Sequence, residues 1–256
     1  MKKNSLGTSV FIVAAILSLL SLFNLGLLDF SRLSQAARNL SRFSFEIFPP
    51  NLKILPVLMR AIWETIQISF TGTILGFLMS LPLAFLGAHN LFGHSIATFI
   101  RMIVGVLRTI PSILFGVIFV IAFGLGPAAG TLGVAFYTVG YLAKLYYEAF
   151  EAVDVEVIEA VKSTGCNRLQ LFRFAILPET SNTIISQLLF MFEYNIRAST
   201  IMGFVGAGGI GYYMAGYIQM LQYQHLLTTL ILTFLVVMGI DYLSLKIRSR
   251  VAVSKN

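Results

Sequence analysis

Six long apolar runs alternate with polar segments along the chain, and this pattern predicts a membrane protein built from helices. Each run is close to the roughly 20 residues that a helix needs to cross a hydrocarbon core of about 30 Å. The runs are continuous and lack the two-residue alternation of membrane-barrel strands, so we expect an all-α transmembrane bundle. The predicted spans are residues 7–28, 65–86, 103–123, 128–150, 181–203 and 226–245.

The composition supports a membrane location. Of the 256 residues, 57% are hydrophobic and 11% are charged, and the mean hydropathy is +0.84, whereas soluble proteins carry about 25% charged residues. The first run follows Met-Lys-Lys, but it exceeds the roughly 7–15 residues of a signal-peptide core and no cleavage site follows, so a retained span is predicted. The single cysteine, Cys166, excludes an internal disulfide, and no metal site is predicted from it or from His89, His94 and His225.

The basic residues indicate an orientation. With both termini in the cytoplasm, twelve Lys and Arg residues lie inside and five outside, which the positive-inside rule favours. All five outside residues lie in segment 29–63, which fits the rule poorly. Within it, LKILPVLMRAIW at 52–63 predicts a helix lying in the membrane interface. The predicted domains are an N-terminal part at 1–63, a membrane core at 64–246 with a polar loop at 151–178, and a basic tail at 247–256.

A polar segment separates the fourth and fifth spans at residues 148–178, EAFEAVDVEVIEAVKSTGCNRLQLFRFAILP. A mixed-charge, helix-forming loop of this length indicates a structure that folds against something outside the bilayer. Gly165 is expected to end a first helix over 151–164, because glycine adopts the left-handed conformation at little cost. A second helix is predicted from Asn167, and Pro178 is expected to end it before the next span.

This loop resembles the cytoplasmic EAA loop of ABC importer permeases, whose pattern is Glu-Ala-Ala, three residues, Gly, nine residues, Ile, one residue, Leu-Pro. The matching positions are Glu159, Ala160, Gly165, Leu177 and Pro178, whereas Val161 replaces the second Ala and Ala175 replaces the Ile. The resemblance implies that the loop docks into a cleft on a separate ATPase subunit and transmits its closure to the spans. The alternative is an ordinary amphipathic loop on the membrane surface.

A wider resemblance covers residues 55–241. The stretches PVLMRAIWETIQISFTGTILGFLMSLPLAFLGAHN, LRTIPSILFGVIFVIAFGLGPAAG and FEYNIRASTIMGFVGAGGIG, with the upstream FPPN, are similar to the permeases of phosphonate and phosphite importers. This implies a type I ABC importer permease that pairs with a second copy, two ATPase subunits and an extracytoplasmic substrate-binding protein. The implied cargo is phosphonate, phosphite or a related oxyanion. Another small solute such as methionine stays an alternative, because related permeases share the same loop.

Two charged residues, Glu193 and Arg197, lie inside the fifth predicted span. Four residues apart on a helix, they share one face and are close enough to form an ion pair. A charge at mid-bilayer costs about 2.5–3.5 kcal/mol on insertion scales, so both are expected to face a cavity or a partner. Two interpretations stay open: the pair braces the dimer interior, or Arg197 lends positive potential to an anion pathway while Glu193 keeps the anion from being trapped.

Glycines cluster at the end of the same span, in GFVGAGGIG at 203–211. A dinucleotide-binding interpretation is rejected, because that fingerprint needs a preceding strand. A helix break that lines a cavity is predicted instead, and it serves as a structural turn or as a gate. Pro82 and Pro111 are expected to kink the second and third spans. The candidate pathway and gate residues are Glu193, Arg197, Gly206, Gly208, Gly209, Pro111 and Ser112.

The chain contains no Gly-x-x-x-x-Gly-Lys-Ser/Thr segment, so it cannot build the phosphate cradle that ATP hydrolysis requires. ATP and Mg²⁺ are therefore expected on a partner ATPase, and neither a cofactor of its own nor nucleic-acid binding is expected of this chain. No clustered set of nucleophile, base and metal ligands points to an enzyme. A secondary carrier or channel that works without an ATPase is the alternative of a different class.

Overall fold

The computed structural model describes residues 5–253, and every regular element in that range is helical. The chain divides into two units, Met1–Pro50 and Asn51–Asn256. The first unit holds α1 (Ser5–Asn24) and α2 (Phe30–Ile47). Asp29 caps α2, because its carboxylate accepts a hydrogen bond of 2.9 Å from the Ser31 N–H.

In its described part, residues 51–253, the second unit contains nine α-helices, a short 3-10 turn at Leu52–Ile54 and a π-helical segment at Phe172–Ile176. The helices are α3 (Leu55–Gly87), α4 (His94–Thr109), α5 (Ser112–Phe123), α6 (Pro127–Glu151), α7 (Val155–Lys162), α8 (Arg168–Leu171), α9 (Leu177–Gly203), α10 (Gly209–Gln219) and α11 (Tyr223–Val253). The six predicted spans correspond to α1, α3, the α4–α5 pair, α6, α9 and α11.

By length and hydropathy, three helical segments in the described part of the chain can cross a membrane, or four if a bent pair is one span. The three are Gly7–Asn24, Leu52–Gly87 and Tyr223–Arg250. Helices α6 and α9 have 25 and 27 residues, which is long enough at about 1.5 Å per residue, but both are more polar. Their polar residues lie among other helices in the bundle, as the buried Thr138 of α6 and Asn195 of α9 show.

The prediction of one kinked helix across 103–123 is wrong. The bent pair consists of α4 and α5, which meet at 86°. Pro111 has no N–H to continue α4, and it holds Ile110 in an extended conformation with ψ 119°. Pro82, in contrast, lies inside the continuous α3.

Residues 52–63, predicted to form an interfacial helix, lead into a spanning helix instead. Helix α3 begins at Leu55, has Pro56 in its first turn and continues to Gly87. Leu58, Ala61 and Ile62 are buried against α10 and α11 residues such as Ile210. The apolar side chains that suggested contact with lipid pack against neighbouring helices instead, and this explains why the segment is part of a spanning helix.

The centre of the bundle is formed where α3 and α6 approach closely. A Cβ added at Gly72 would lie 2.6 Å from Val134 Cγ1, and one at Gly76 would lie 2.5 Å from Thr138 Cβ. Small residues spaced by four allow helix backbones to pack at short range in a membrane. Helix α9 joins this pair through Asn195, whose amide donates hydrogen bonds of 2.8 Å to Thr73 and to Thr138.

Candidate coupling surface and translocation path

The polar loop bends at Gly165, where the first helix was expected to end, and we call residues 159–166 the glycine elbow. Helix α7 ends at Lys162, and Gly165 has a φ of +76°, in the left-handed region. The first helix is shorter than the predicted 151–164, because α6 runs on to Glu151 and α7 begins only at Val155. After the elbow, Asn167 starts α8 with a reciprocal capping box: its side chain accepts from the Gln170 N–H at 2.9 Å, and Gln170 accepts from the Asn167 N–H at 2.8 Å.

The prediction that Pro178 ends the second helix is wrong. Helix α8, the π-helical segment and α9 follow one another directly, and Pro178 lies in the first turn of α9. In the π-helical turn the Leu177 N–H donates to the carbonyl of Phe172, five residues back. A π turn re-routes the hydrogen bonds next to a residue without an N–H, so the helix accommodates the proline.

All five residues that match the EAA pattern lie on the surface of this loop. Glu159, Ala160, Gly165, Leu177 and Pro178 are exposed. Behind them, buried apolar side chains fix the loop to the bundle, and these are Ile158, Leu171, Ala175 and Ile176. The elbow is therefore a surface held in place by its own core.

A cavity of about 570 Å³ opens beside the elbow. Its lining includes Ala160, Val161 and Gly165 on one side and Gln170 and Phe174 on the other. Phe174 and the nearby Leu169 expose about two thirds of their surface. A recessed surface with small residues and exposed apolar side chains is suited to receive a protein partner.

The base of the loop is held by a charged cluster. The Glu151 carboxylate pairs with Arg101 and accepts a hydrogen bond of 2.6 Å from the His89 N–H. Arg101 also donates to the Gly87 carbonyl at 2.8 Å and lies 4.3 Å from the ring centre of Tyr147. Burial raises the pKa of Glu151, but the hydrogen bonds from Arg101 and His89 outweigh it, so the pKa is lowered overall. The cluster joins the ends of α3 and α6 to α4.

The predicted Glu193–Arg197 ion pair is wrong, because each residue pairs with α11 instead. Glu193, only 6% exposed, accepts a hydrogen bond of 2.6 Å from Arg248. Arg197 contacts both carboxylate oxygens of Asp241, at 3.0 and 3.1 Å. The two pairs fasten α9 to α11.

Breaking the buried pair is expected to destabilise the protein. In Arg248→Met, Glu193 keeps its buried carboxylate without a partner, and loss of one partner of a buried pair costs about 3–5 kcal/mol. Arg197→Met should cost less, because the Arg197 and Asp241 side chains are 44% and 37% exposed. Thermal unfolding of the purified variants in detergent measures both effects. A double variant, Arg248→Met with Glu193→Leu, should recover most of the loss, and failure to recover it would contradict this assignment.

The glycine-rich segment breaks the helix between α9 and α10, as predicted. Gly206, Gly208 and Gly209 have φ values of +90°, +82° and +70°, which other residues rarely adopt. The Gly206 carbonyl accepts a hydrogen bond of 2.9 Å from the Gly126 N–H, in the connection between α5 and α6. The break is thus tied to a second connection at the same end of the bundle.

Two α3 side chains, not identified from the sequence, cap the helix after the break. Glu64 accepts a hydrogen bond from the Gly209 N–H, and Thr65 accepts one from the Ile210 N–H, each at 2.8 Å. Both acceptors satisfy N–H groups that the first turn of α10 leaves free. The sequence signal was an acidic residue in an apolar stretch of α3, but its partner lies 145 positions away.

The remaining predicted pathway residues, Pro111 and Ser112, lie at the α4–α5 break and not with the charged pairs of α9 and α11. Within residues 5–253, no group of three or more His, Cys, Asp or Glu side chains could hold a metal ion. Cys166 is a free, partly buried thiol beside the elbow.

Comparison with known families identifies the class of protein. Residues 72–251 match the model of the binding-protein-dependent transport system inner membrane component. This match covers well over half of the chain, and the chain belongs to this family of ABC transporter permeases. It is therefore an inner-membrane transport component with the type I permease architecture.

Two relatives come from systems for phosphorus oxyanions. The chain is 33% identical over 227 residues to the phosphite transport system permease protein PtxC of Stutzerimonas stutzeri, covering 88% of this chain and 82% of the relative. It is 37% identical over 204 residues to the phosphate-import permease protein PhnE of Mycolicibacterium smegmatis, covering 79% of this chain but 38% of the relative.

Solved structures share the fold. The methionine transporter MetNI, in an inward-facing conformation, aligns with a TM-score of 0.70 at 24% identity, over 78% of this chain and 99% of that chain. A bacterial ABC transporter that imports the acidic polysaccharide alginate aligns with a TM-score of 0.66 at 15% identity, over 95% of this chain and 96% of that chain. At these identities the likeness concerns the fold alone.

Proposed function

We propose that this chain is the permease subunit through which phosphite, phosphonate or a related oxyanion crosses the cytoplasmic membrane, driven by a separate ATPase. The observation that carries the proposal is the exposed glycine elbow, in which Glu159, Ala160 and Gly165 stand on a buried apolar base. The names of the relatives support the oxyanion cargo.

The proposed assembly contains two copies of this chain, two ATPase subunits and an extracytoplasmic substrate-binding protein. ATP and Mg²⁺ belong to the ATPase subunits. Both termini and the elbow lie in the cytoplasm, as the distribution of basic residues favours even when Arg108, at the end of the membrane helix α4, is left out of the cytoplasmic count. The cavity beside the elbow receives a segment of the ATPase, and Glu159 meets a basic residue there.

The route of the mechanical signal follows from helix continuity. The elbow leads through α8 and the π-helical turn into α9, which carries Glu193 and Arg197 and ends at the glycine-rich break. When ATP binding draws the ATPase subunits together, the two elbows move with them, and α9 carries the motion to the gate at Gly206, Gly208 and Gly209. Hydrolysis returns the assembly to the inward-open state.

Uptake by the reconstituted complex tests this function. Proteoliposomes containing the permease, its ATPase and its binding protein should accumulate labelled phosphite or methylphosphonate only when ATP and the ATPase are present. Methionine and choline serve as control solutes. Oxyanion uptake that persists without the ATPase would identify a secondary carrier, and uptake restricted to a control solute would contradict the proposed cargo.

A further inference from the structure

Three tyrosines and an arginine from three helices form a polar patch on the bundle. Tyr137 and Tyr141 lie on α6, Tyr194 on α9 and Arg108 at the end of α4. The Tyr194 ring stacks with Tyr137 at 5.5 Å and 18°, and with Tyr141 at 6.5 Å and 14°. The Arg108 guanidinium lies 5.8 Å from the centre of the Tyr141 ring. We call these four residues the tyrosine–arginine patch.

The patch lies at the middle of the spanning helix α6. Tyr137 is ten residues from Pro127 at one end, and Tyr141 is ten residues from Glu151 at the other, which places each about 15 Å from an end. Gly140 lets the end of α4 approach at this height, because a Cβ there would lie 3.1 Å from Leu107 Cβ and 3.2 Å from Arg108 Cγ. Close packing of the end of α4 against α6 therefore places Arg108 at mid-membrane depth.

The charge of Arg108 is not neutralised by a carboxylate. Within residues 5–253, ion pairs join Arg101 to Glu151, Arg197 to Asp241 and Arg248 to Glu193 across helices, whereas no acidic side chain lies within 4 Å of Arg108. Arg108 is exposed and the three tyrosines are half-buried. An exposed, unpaired cation at this depth has to face a water-filled cavity or a partner, since facing lipid is costly.

We propose that the tyrosine–arginine patch is a transient contact site for the oxyanion in the translocation path. A guanidinium can donate two parallel hydrogen bonds to an oxyanion, and phenol hydroxyls can donate further ones. The three stacked rings lie next to that charge, since the Arg108 guanidinium is 5.8 Å from the centre of the Tyr141 ring. With a single cation the site attracts the anion and still lets it leave. This inference rests on the oxyanion cargo proposed above.

Hydroxyl removal tests the site with the rings kept in place. In the full complex with its ATPase and binding protein, the Tyr137→Phe/Tyr194→Phe double variant should lower initial phosphite uptake about three- to tenfold. Arg108→Gln should lower it about tenfold or more, and Arg108→Lys should lose less because the charge remains. Tyr146→Phe is the matched control, since it removes a hydroxyl from the same helix outside the patch, where Tyr146 donates to the Ile184 carbonyl at 3.3 Å.

Three readouts separate cargo contact from a bracing role. Assembly with the ATPase and ATP hydrolysis stimulated by the loaded binding protein should stay close to wild type in the tyrosine variants, while phosphite moved per ATP falls. Wild-type uptake per ATP in both the tyrosine double variant and Arg108→Gln would overturn the proposal, as would losses that only follow reduced assembly. If the wild-type complex moves no oxyanion but transports another solute, the proposed function itself fails, and this result is distinct from normal phosphite uptake by the patch variants.

Discussion

Replacing Gly165 with proline is expected to abolish ATP-coupled uptake while the helices remain inserted and the complex can still be purified. Gly165 has a φ of +76°, whereas proline fixes φ near −65°. Its N–H also donates a hydrogen bond of 3.0 Å to the Lys162 carbonyl, which proline cannot make. The elbow would therefore change direction, and Glu159 and Ala160 would no longer present the same surface. Uptake and binding-protein-stimulated ATP hydrolysis, measured on the same proteoliposomes, give the coupling ratio.

Gly165→Asn is the matched control for the proline variant. Asparagine tolerates the left-handed conformation better than most residues, and a Cβ at this position would meet no atom within 4 Å. This variant should keep most of the coupling. Charge reversal in Glu159→Lys probes the docking contact without disturbing the fold, because the side chain is exposed. Normal coupled transport by both Gly165→Pro and Glu159→Lys would rule out the docking role of the elbow.

Gly211→Ala is expected to lower the stability of the protein where α10 packs against α9. A Cβ at Gly211 would lie 1.8 Å from the Thr200 carbonyl oxygen, so one helix has to move. Overpacking of this kind costs about 1–3 kcal/mol. The glycine-rich break lies between these two helices, and its hydrogen bond with Gly126 would be displaced with them. Thermal unfolding of the purified variant measures the loss.

The same helix offers a control for this substitution. Gly216 of α10 has no atom within 4 Å of an added Cβ, and alanine in a helix is favoured over glycine by about 0.5–1 kcal/mol. Gly216→Ala should therefore unfold at the wild-type temperature or slightly above it. Equal melting temperatures for the Gly211 and Gly216 variants would show that the close contact between α9 and α10 is absent in the protein.

The helices and the elbow were predictable because they depend on local properties. Apolar runs of spanning length located the long helices, and Gly165 marked the elbow because only a glycine-like residue fits its backbone at low cost. Helix α10 was missed, since GIGYYMAGYIQ is short and opens on glycines that favour a loop. The break at Pro111 was predicted only as a kink, because its angle of 86° depends on how α5 packs.

The charged contacts were not predictable from spacing within one helix. Glu193 and Arg197 share a face of α9, and the rule for spacing on one helix suggested their pairing but carries no information about contacts to another helix. Their partners Asp241 and Arg248 are two turns apart on α11. The four residues form two pairs only because α9 and α11 pack next to each other. Tertiary packing, which a linear pattern does not contain, decided between these arrangements.

The backbone from Arg168 to Gly203 is helical without interruption and includes a π turn at Phe172–Ile176. Such a turn holds one residue more than an α-helical turn, and one residue corresponds to about 100° around the axis. If the π turn changed to α-helical geometry, α9 would rotate about its own axis relative to α8. The hydrogen bonds of the Asn195 amide join α9 to α3 and α6, and the two ion pairs join it to α11. A rotation of α9 that starts at the elbow therefore has to move these neighbouring helices with it.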